Sequence, residues 1–318
     1  MTNFSTAAAH AASRSIRFMT KLTMSGLTQE PPRRGTLDKR PIAVRQTFHA
    51  KSEFDEFFVR HKELCEDRIE RKIVDHCTLY GIRNFFFGFI PPEDVALIGK
   101  EPREHLLGRG LNSRQRVLLD MVLARSASPA NTRIYGHEAV TPFALALRGR
   151  FPKFLGTEYA PGFDRQRELF PIQHSDICRS TFPDASFDIV VSGDVFEHVY
   201  DIDMALSDTA RILRPGGTFL GTFPFLSHSA TSSRRARINN SGQIEHLLLP
   251  PIFHGDPLDP SGCLVFELPG WDILERALAA GFSDATIEFI CDQERGITAS
   301  WEGESLRPRG IFVAHFVK

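Results

Sequence analysis

Between residues 133 and 223 short apolar runs alternate with helix-period segments, and that alternation limits the chain to few architectures. Phe187–Ser192 (FDIVVS) is the clearest strand, a β-branched run bounded by polar residues. Arg133–Tyr135, Phe154–Tyr159 and Pro171–His174 precede it as shorter strands, and Thr218–Phe223 follows it. Helical patterns at Thr141–Arg150 and Ile202–Leu213 lie between them. Strands separated by helices at this spacing imply a parallel α/β sheet with helices on both faces. The C-terminal part departs from that rule. A helix over Trp271–Ala280 leads into strands Ala285–Cys291 and Gly310–Val317, and the polar, turn-rich stretch between those strands has no helix pattern. They are therefore expected to close the sheet as an antiparallel hairpin.

Upstream, Ser52 is placed to cap a helix over Glu53–Cys77, with Asp55 as a short capping-box partner. Phe54, Phe58, His61, Cys65, Ile69 and Ile73 give that helix one apolar face. Asn112–Arg125 reads as another helix, with Val117, Leu118, Met121 and Val122 as its buried stripe. Gln29–Arg45, rich in proline and glycine, reads as a linker. Residues 1–50 carry eight Lys/Arg against two acids, and the first 29 residues contain no acid. Both a transit peptide and a loose bacterial tail have this composition, with Met19 and Met24 as alternative starts. The expected organisation is a basic tail and linker over 1–50, a helical cap over 51–130, and a sheet domain over 131–318 with a substrate-side insert at 226–262.

Lys+Arg (38) and Asp+Glu (39) nearly cancel, so net charge gives no reason to expect a nucleic-acid partner. No apolar run approaches the roughly 18 residues of a membrane-spanning helix. Five dispersed cysteines without a CxxC pair suit a reducing compartment. The expected location is the cytoplasm, or the mitochondrial matrix if the basic segment is a transit peptide.

Sheets of this kind bind ligands beyond the carboxyl ends of their strands, where the strand order reverses. The first βα turn is Gly136-His137-Glu138. Glu158 ends the next strand about 20 residues later, where a carboxylate can accept both hydroxyls of an adenosine ribose. Asp176 can receive an adenine amine while Ile177 packs on the ring. The fourth strand runs into Gly193-Asp194-Val195-Phe196-Glu197-His198, which puts small, acidic and imidazole groups at the mouth of the sheet. His198 can act as a general base, or the Glu-His pair can shape a cofactor pocket and cap the next helix. His254, in the loop His254-Gly255-Asp256-Pro257, is a second catalytic candidate; His228 and His246 share the insert. The cluster Arg234-Arg235-Arg237 suits either an anionic substrate or a solvated loop.

Residues 132–225, and above all FPDASFDIVVSGDVFEHVYDIDMALSDTARILRPGGTFLGTFPF, resemble the class I S-adenosylmethionine-dependent methyltransferases of the type-11 group. REHLLGRGLNSRQRVLL (Arg103–Leu119) and the phrase around His254 are similar to bacterial members associated with polysaccharide biosynthesis. The resemblance implies a Rossmann-like, doubly wound, seven-stranded sheet with S-adenosyl-L-methionine as cofactor. It implies that Gly136, Glu138, Glu158, Asp176, Ile177, Gly193, Asp194 and Val195 line the cofactor, with a small-molecule or carbohydrate-linked acceptor on the side of the insert. The zinc-knuckle cysteine pairs of some relatives are missing here, so no structural metal is expected. The first turn has one glycine where the family usually has three, so a non-catalytic binding or scaffold protein is the alternative. A nicotinamide-dependent oxidoreductase would need a GxGxxG turn and a different end to the sheet.

Overall fold

A computed structural model describes residues 41–299 and 307–318. The segment on which the transit-peptide and start-site expectations fall lies outside the described residues. In chain order the main elements are β1 (Ala43–Phe48), α1 (Lys51–Arg60), α2 (Asp67–Tyr80), α3 (Ser113–Arg125), β2 (Ile134–Gly136), α4 (Pro142–Arg150), β3 (Phe154–Gly156), α5 (Phe163–Leu169), β4 (Phe187–Gly193), α6 (Ile202–Ile212), β5 (Leu213–Thr222), α7 (Ile273–Ala279), β6 (Asp284–Asp292) and β7 (Ile311–Val317). One seven-stranded sheet runs β1-β6-β7-β5-β4-β2-β3. Strands β3, β2, β4 and β5 are mutually parallel, whereas β7, β6 and β1 each pair antiparallel with their neighbour. This is the Rossmann-like doubly wound sheet closed by an antiparallel hairpin.

The seven strands are not the seven that the sequence suggests. Residues 171–174 touch the sheet through a single parallel bridge, Glu158 to His174, and form no full strand. Pro171 lacks the amide proton a ladder requires. The seventh place is taken at the opposite edge by β1, whose Ala43–Phe48 pairs with Ile287–Asp292. That strand falls within residues expected as tail and linker. It was not legible because, as an edge strand, it buries Phe48 alone and shows no clean alternation.

The helix expected over Glu53–Cys77 is two helices joined by a 3₁₀ turn, Lys62–Cys65. Leu64 and Cys65 are buried in that turn, so the chain bends to bury them. The N-cap of α1 is Ala50 rather than Ser52. Glu53 accepts the His49 amide at 2.8 Å, and Asp55 pairs with Lys51 at 2.7 Å. Phe54 of α1 is fully buried, with its ring against Phe48, Trp271 and Phe312, so β1 and α1 pack into the main core. Burying a phenylalanine side chain contributes about 1.5–3 kcal/mol. On the other face of the sheet Val117, Leu118 and Val122 of α3 pack with Ile189 and Val191 of β4. A reciprocal capping box between Asn112 and Gln115 starts α3. Among the described residues no helix is long and apolar enough to cross a membrane.

Candidate active site at the carboxyl ends of the strands

The first turn leaves β2 at Gly136 and lies directly on β3. A Cβ at Gly136 would sit 2.9 Å from the Phe154 ring, and one at Gly156 would sit 2.4 Å from the Glu138 carbonyl oxygen. Both glycines are thus required by strand-to-turn packing. His137 is buried between Tyr135 and Phe196, with ring centroids at 5.0 and 5.8 Å. Burial pushes its pKa down to about 3, so the imidazole stays neutral. The side chain of Glu138 is buried as well. Thr141 donates its hydroxyl to Oε2, while Oε1 has no hydrogen-bond partner among the described residues. Burial pushes this carboxyl up to about 7, against the pull of Thr141 and Arg114.

Gly193 ends β4 beside that free oxygen. A Cβ there would lie 2.7 Å from Glu138 Oε1 and 3.2 Å from Arg114 Nη1. A carboxylate and a guanidinium therefore converge on the space that a missing side chain leaves. Asp194 has φ of 54°, the left-handed region that aspartate tolerates better than most residues. It is held by Arg103 at 2.8 Å and Arg114 at 3.2 Å. Burial alone would raise its pKa, but the two arginines hold it down at about 2. Glu104 steadies the pair by accepting from Arg114 Nε at 3.0 Å and from the Asn112 side chain at 2.6 Å. Sequence reasoning did not assign roles to Arg103 and Arg114. Hydrophobic periodicity gives no signal for a buried arginine, and only the density of arginines between 103 and 116 hints at one.

The remaining candidates divide. Glu158 accepts the amides of Ala139 at 2.7 Å and Val140 at 3.3 Å through Oε1, which ties the end of β3 to the first turn. Asp176 accepts the Cys178 amide at 2.9 Å and the Tyr200 hydroxyl at 3.2 Å, so both its oxygens are engaged. Ile177 is buried in the main core, and Val195 packs against that core at the turn after β4. The arginines of the insert are internally bonded: Arg234 to the Tyr200 carbonyl at 2.8 Å, Arg235 to the Pro250 carbonyl at 3.1 Å, Arg237 to Glu245 at 2.8 Å. His228 packs on Phe54 and Phe58, whereas His246 lies in a surface ribbon against Ala236.

His198 and His254 come together although 55 residues separate them in the chain. Their rings stand perpendicular with centroids 5.0 Å apart. Between them lies Glu197, fully buried, with Oε1 at 3.6 Å from His198 Nε2 and 3.5 Å from His254 Nδ1. The Leu264 carbonyl lies 2.9 Å from His198 Nδ1 and fixes that ring. His254 arrives on a two-stranded ribbon, Phe253–His254 with Cys263–Leu264.

Residues 142–221, from α4 through β5, match the family model described as a methyltransferase domain. Over that quarter of its length the chain is similar to the methyltransferase-domain family. A Mycolicibacterium smegmatis protein named as a probable S-adenosylmethionine-dependent methyltransferase is 43% identical over 53 residues, 17% of this chain and 21% of that protein. The chain thus spans about a fifth of the curated relative it matches. An S-adenosylmethionine-dependent methyltransferase from Mesorhizobium loti is 17% identical, covers 62% of this chain and 96% of its own, and has a TM-score of 0.40. The Haemonchus contortus phosphoethanolamine N-methyltransferase 2 is 17% identical over 55% of this chain and 38% of its own, with a TM-score of 0.34. The matched span contains Glu158, Asp176 and the whole Gly193–His198 segment, while Arg103, Arg114, Gly136, Glu138 and His254 lie outside it.

Proposed function

We propose that the protein is an S-adenosylmethionine-dependent methyltransferase whose side chains, rather than a bare glycine loop, hold the amino-acid end of the cofactor. The observation that carries this reading is the free, buried Glu138 Oε1 facing the gap at Gly193 together with Arg114. A carboxylate and a guanidinium at one point complement a zwitterion: Glu138 would accept the ammonium and Arg114 would donate to the carboxylate. Glu158 would meet the ribose through its second oxygen while its first keeps the turn in place. When bound, the cofactor supplies a methyl group made electrophilic by its sulfonium.

The acceptor, a small molecule or a carbohydrate-linked group, would enter from the insert at 226–262. His198 and His254 are the groups nearest to hand for orienting its hydroxyl or amine. Alignment of the acceptor atom with the methyl group supplies much of the rate in such a displacement, and the ribbon that carries His254 is well placed to fix it. Isothermal titration with S-adenosylmethionine and with its demethylated product tests the cofactor reading. Binding that Glu138→Gln weakens at least tenfold supports it. No binding at millimolar ligand by folded protein would instead favour a scaffold built on this fold.

A further inference from the structure

We infer that Glu197, His198 and His254 bind a divalent transition-metal cation of the zinc type at the mouth of the sheet. The cation site stands on its own geometry; its use in gripping an acceptor oxygen rests on the methyl-transfer reading above. One ligand atom from each of the three residues lies within 4.8 Å of the other two. The contacts of 3.5 and 3.6 Å from Glu197 to the two imidazoles are too long for charged hydrogen bonds, which close to about 2.7–2.9 Å. They match a different geometry. Two ligands each about 2.0–2.1 Å from a tetrahedral ion lie about 3.4 Å apart.

Glu197 makes the case for a ligand. Its side chain is fully buried, and neither carboxylate oxygen has a hydrogen-bond partner among the described residues. A buried carboxylate is costly unless it is paired or coordinates a metal. His198 is set in the tautomer a metal requires: donation from Nδ1 to the Leu264 carbonyl leaves the lone pair of Nε2 facing Glu197. His254 is one-third exposed, which gives an ion a way in and leaves coordination positions open toward the insert. Two imidazoles with one carboxylate favour zinc, iron, cobalt or nickel over magnesium or calcium, which prefer all-oxygen shells.

The test uses untagged, chelator-stripped full-length protein titrated with Co²⁺, read by its visible absorption bands, with Zn²⁺ as competitor. One Co²⁺ per chain, displaced by Zn²⁺, is expected. His254→Asn, in a surface ribbon where folding is not at stake, and the near-isosteric Glu197→Gln should each weaken it by more than about 100-fold, beyond the cost of losing an outer partner. Zn²⁺ should raise the melting temperature of the parent protein and leave that of His254→Asn unchanged. Absent Co²⁺ bands, or equal Co²⁺ affinity in His254→Asn, overturn the site. S-adenosylmethionine is titrated separately into metal-free protein: cofactor binding without Co²⁺ binding refutes the cation and spares the methyl-transfer reading, whereas the reverse refutes that reading and spares the cation.

Discussion

Replacing Glu288 with glutamine should destabilise the fold in a way that fades with acid. Glu288 sits on β6 with its side chain 4% exposed, and it receives Arg45 of β1 at 2.5 Å and Arg125 of α3 at 2.9 Å. His315 of β7 lies at 3.3 Å, and because Arg125 Nε donates to its Nε2 at 3.1 Å, its Nδ1 carries the proton that faces Glu288. Burial alone would raise this carboxyl, but the bonds from His315 and Arg45, with the charges of Arg45 and Arg125, bring it from 4.5 down to about 2. That difference corresponds to about 3 kcal/mol of folding free energy. A depressed carboxyl contributes its full stability above its unfolded value and loses it as pH falls toward the folded one. The contribution is therefore complete at pH 7, near 1 kcal/mol at pH 3 and almost gone at pH 2, each value approximate. Urea unfolding of the parent and of Glu288→Gln at pH 7 and pH 3, with equal slopes, measures the gap directly. A gap of the same size at both pH values, or one below about 0.5 kcal/mol at pH 7, would refute the reasoning.

Glu138 runs the other way. Its folded pKa is raised to about 7, so ionisation destabilises the fold as pH rises from 4.5 through 7. Glu138→Gln should gain about 1–3 kcal/mol over the parent at pH 8 and nothing at pH 4, read from thermal melts at the two pH values, while binding S-adenosylmethionine more weakly. Gly193→Ala places a Cβ 2.7 Å from Glu138 Oε1 and should cut cofactor affinity about tenfold or more by titration, with a smaller effect on the melt. Arg116 is fully buried and donates to the carbonyls of Leu106, Leu111 and Gly296 at 2.8, 2.6 and 2.6 Å. Arg116→Met would take a donor from each of those oxygens, although Gly108 still donates to Leu111 and Ser113 to Gly296, and should cost about 1–3 kcal/mol in urea unfolding; a loss below about 0.5 kcal/mol would show that the remaining donors, water or repacking satisfy them.

The sheet was legible where burial on both faces writes continuous apolar runs, as in Phe187–Ser192, and where glycine lies within a strand, as at Gly217 of β5. A Cβ at Gly217 would sit 2.9 Å from the Arg214 carbonyl and 3.0 Å from that of Asp188, so the glycine signal reflects a real close approach. Edges were harder. β1 has little apolar pattern because one flank faces solvent, and residues 171–174 looked more strand-like than their single bridge warrants. Glu138 and Gly193 were read from their place after parallel strands, and the fold brings the two positions together. Asp194 was legible as a position, but its two arginines come from a segment some 80 to 90 residues earlier, and no local pattern encodes that meeting. The joining of His198 to His254 was equally invisible, since it depends on how a ribbon in the insert folds back over β4.

The edge strand also bears on how this protein is made. Arg45 of β1 and its partner Glu288 are 243 residues apart, so the earliest described strand to leave the ribosome waits for that length of chain before its own partner exists. Long-range pairing of that kind is slow, and unpaired strands are prone to misassociation while they wait. Synthesis of residues 284–317, carrying β6 and β7, therefore completes the sheet in one step. Nascent chains halted before Asp284 should present β1 to chaperones, and those extended past Val317 should bury it.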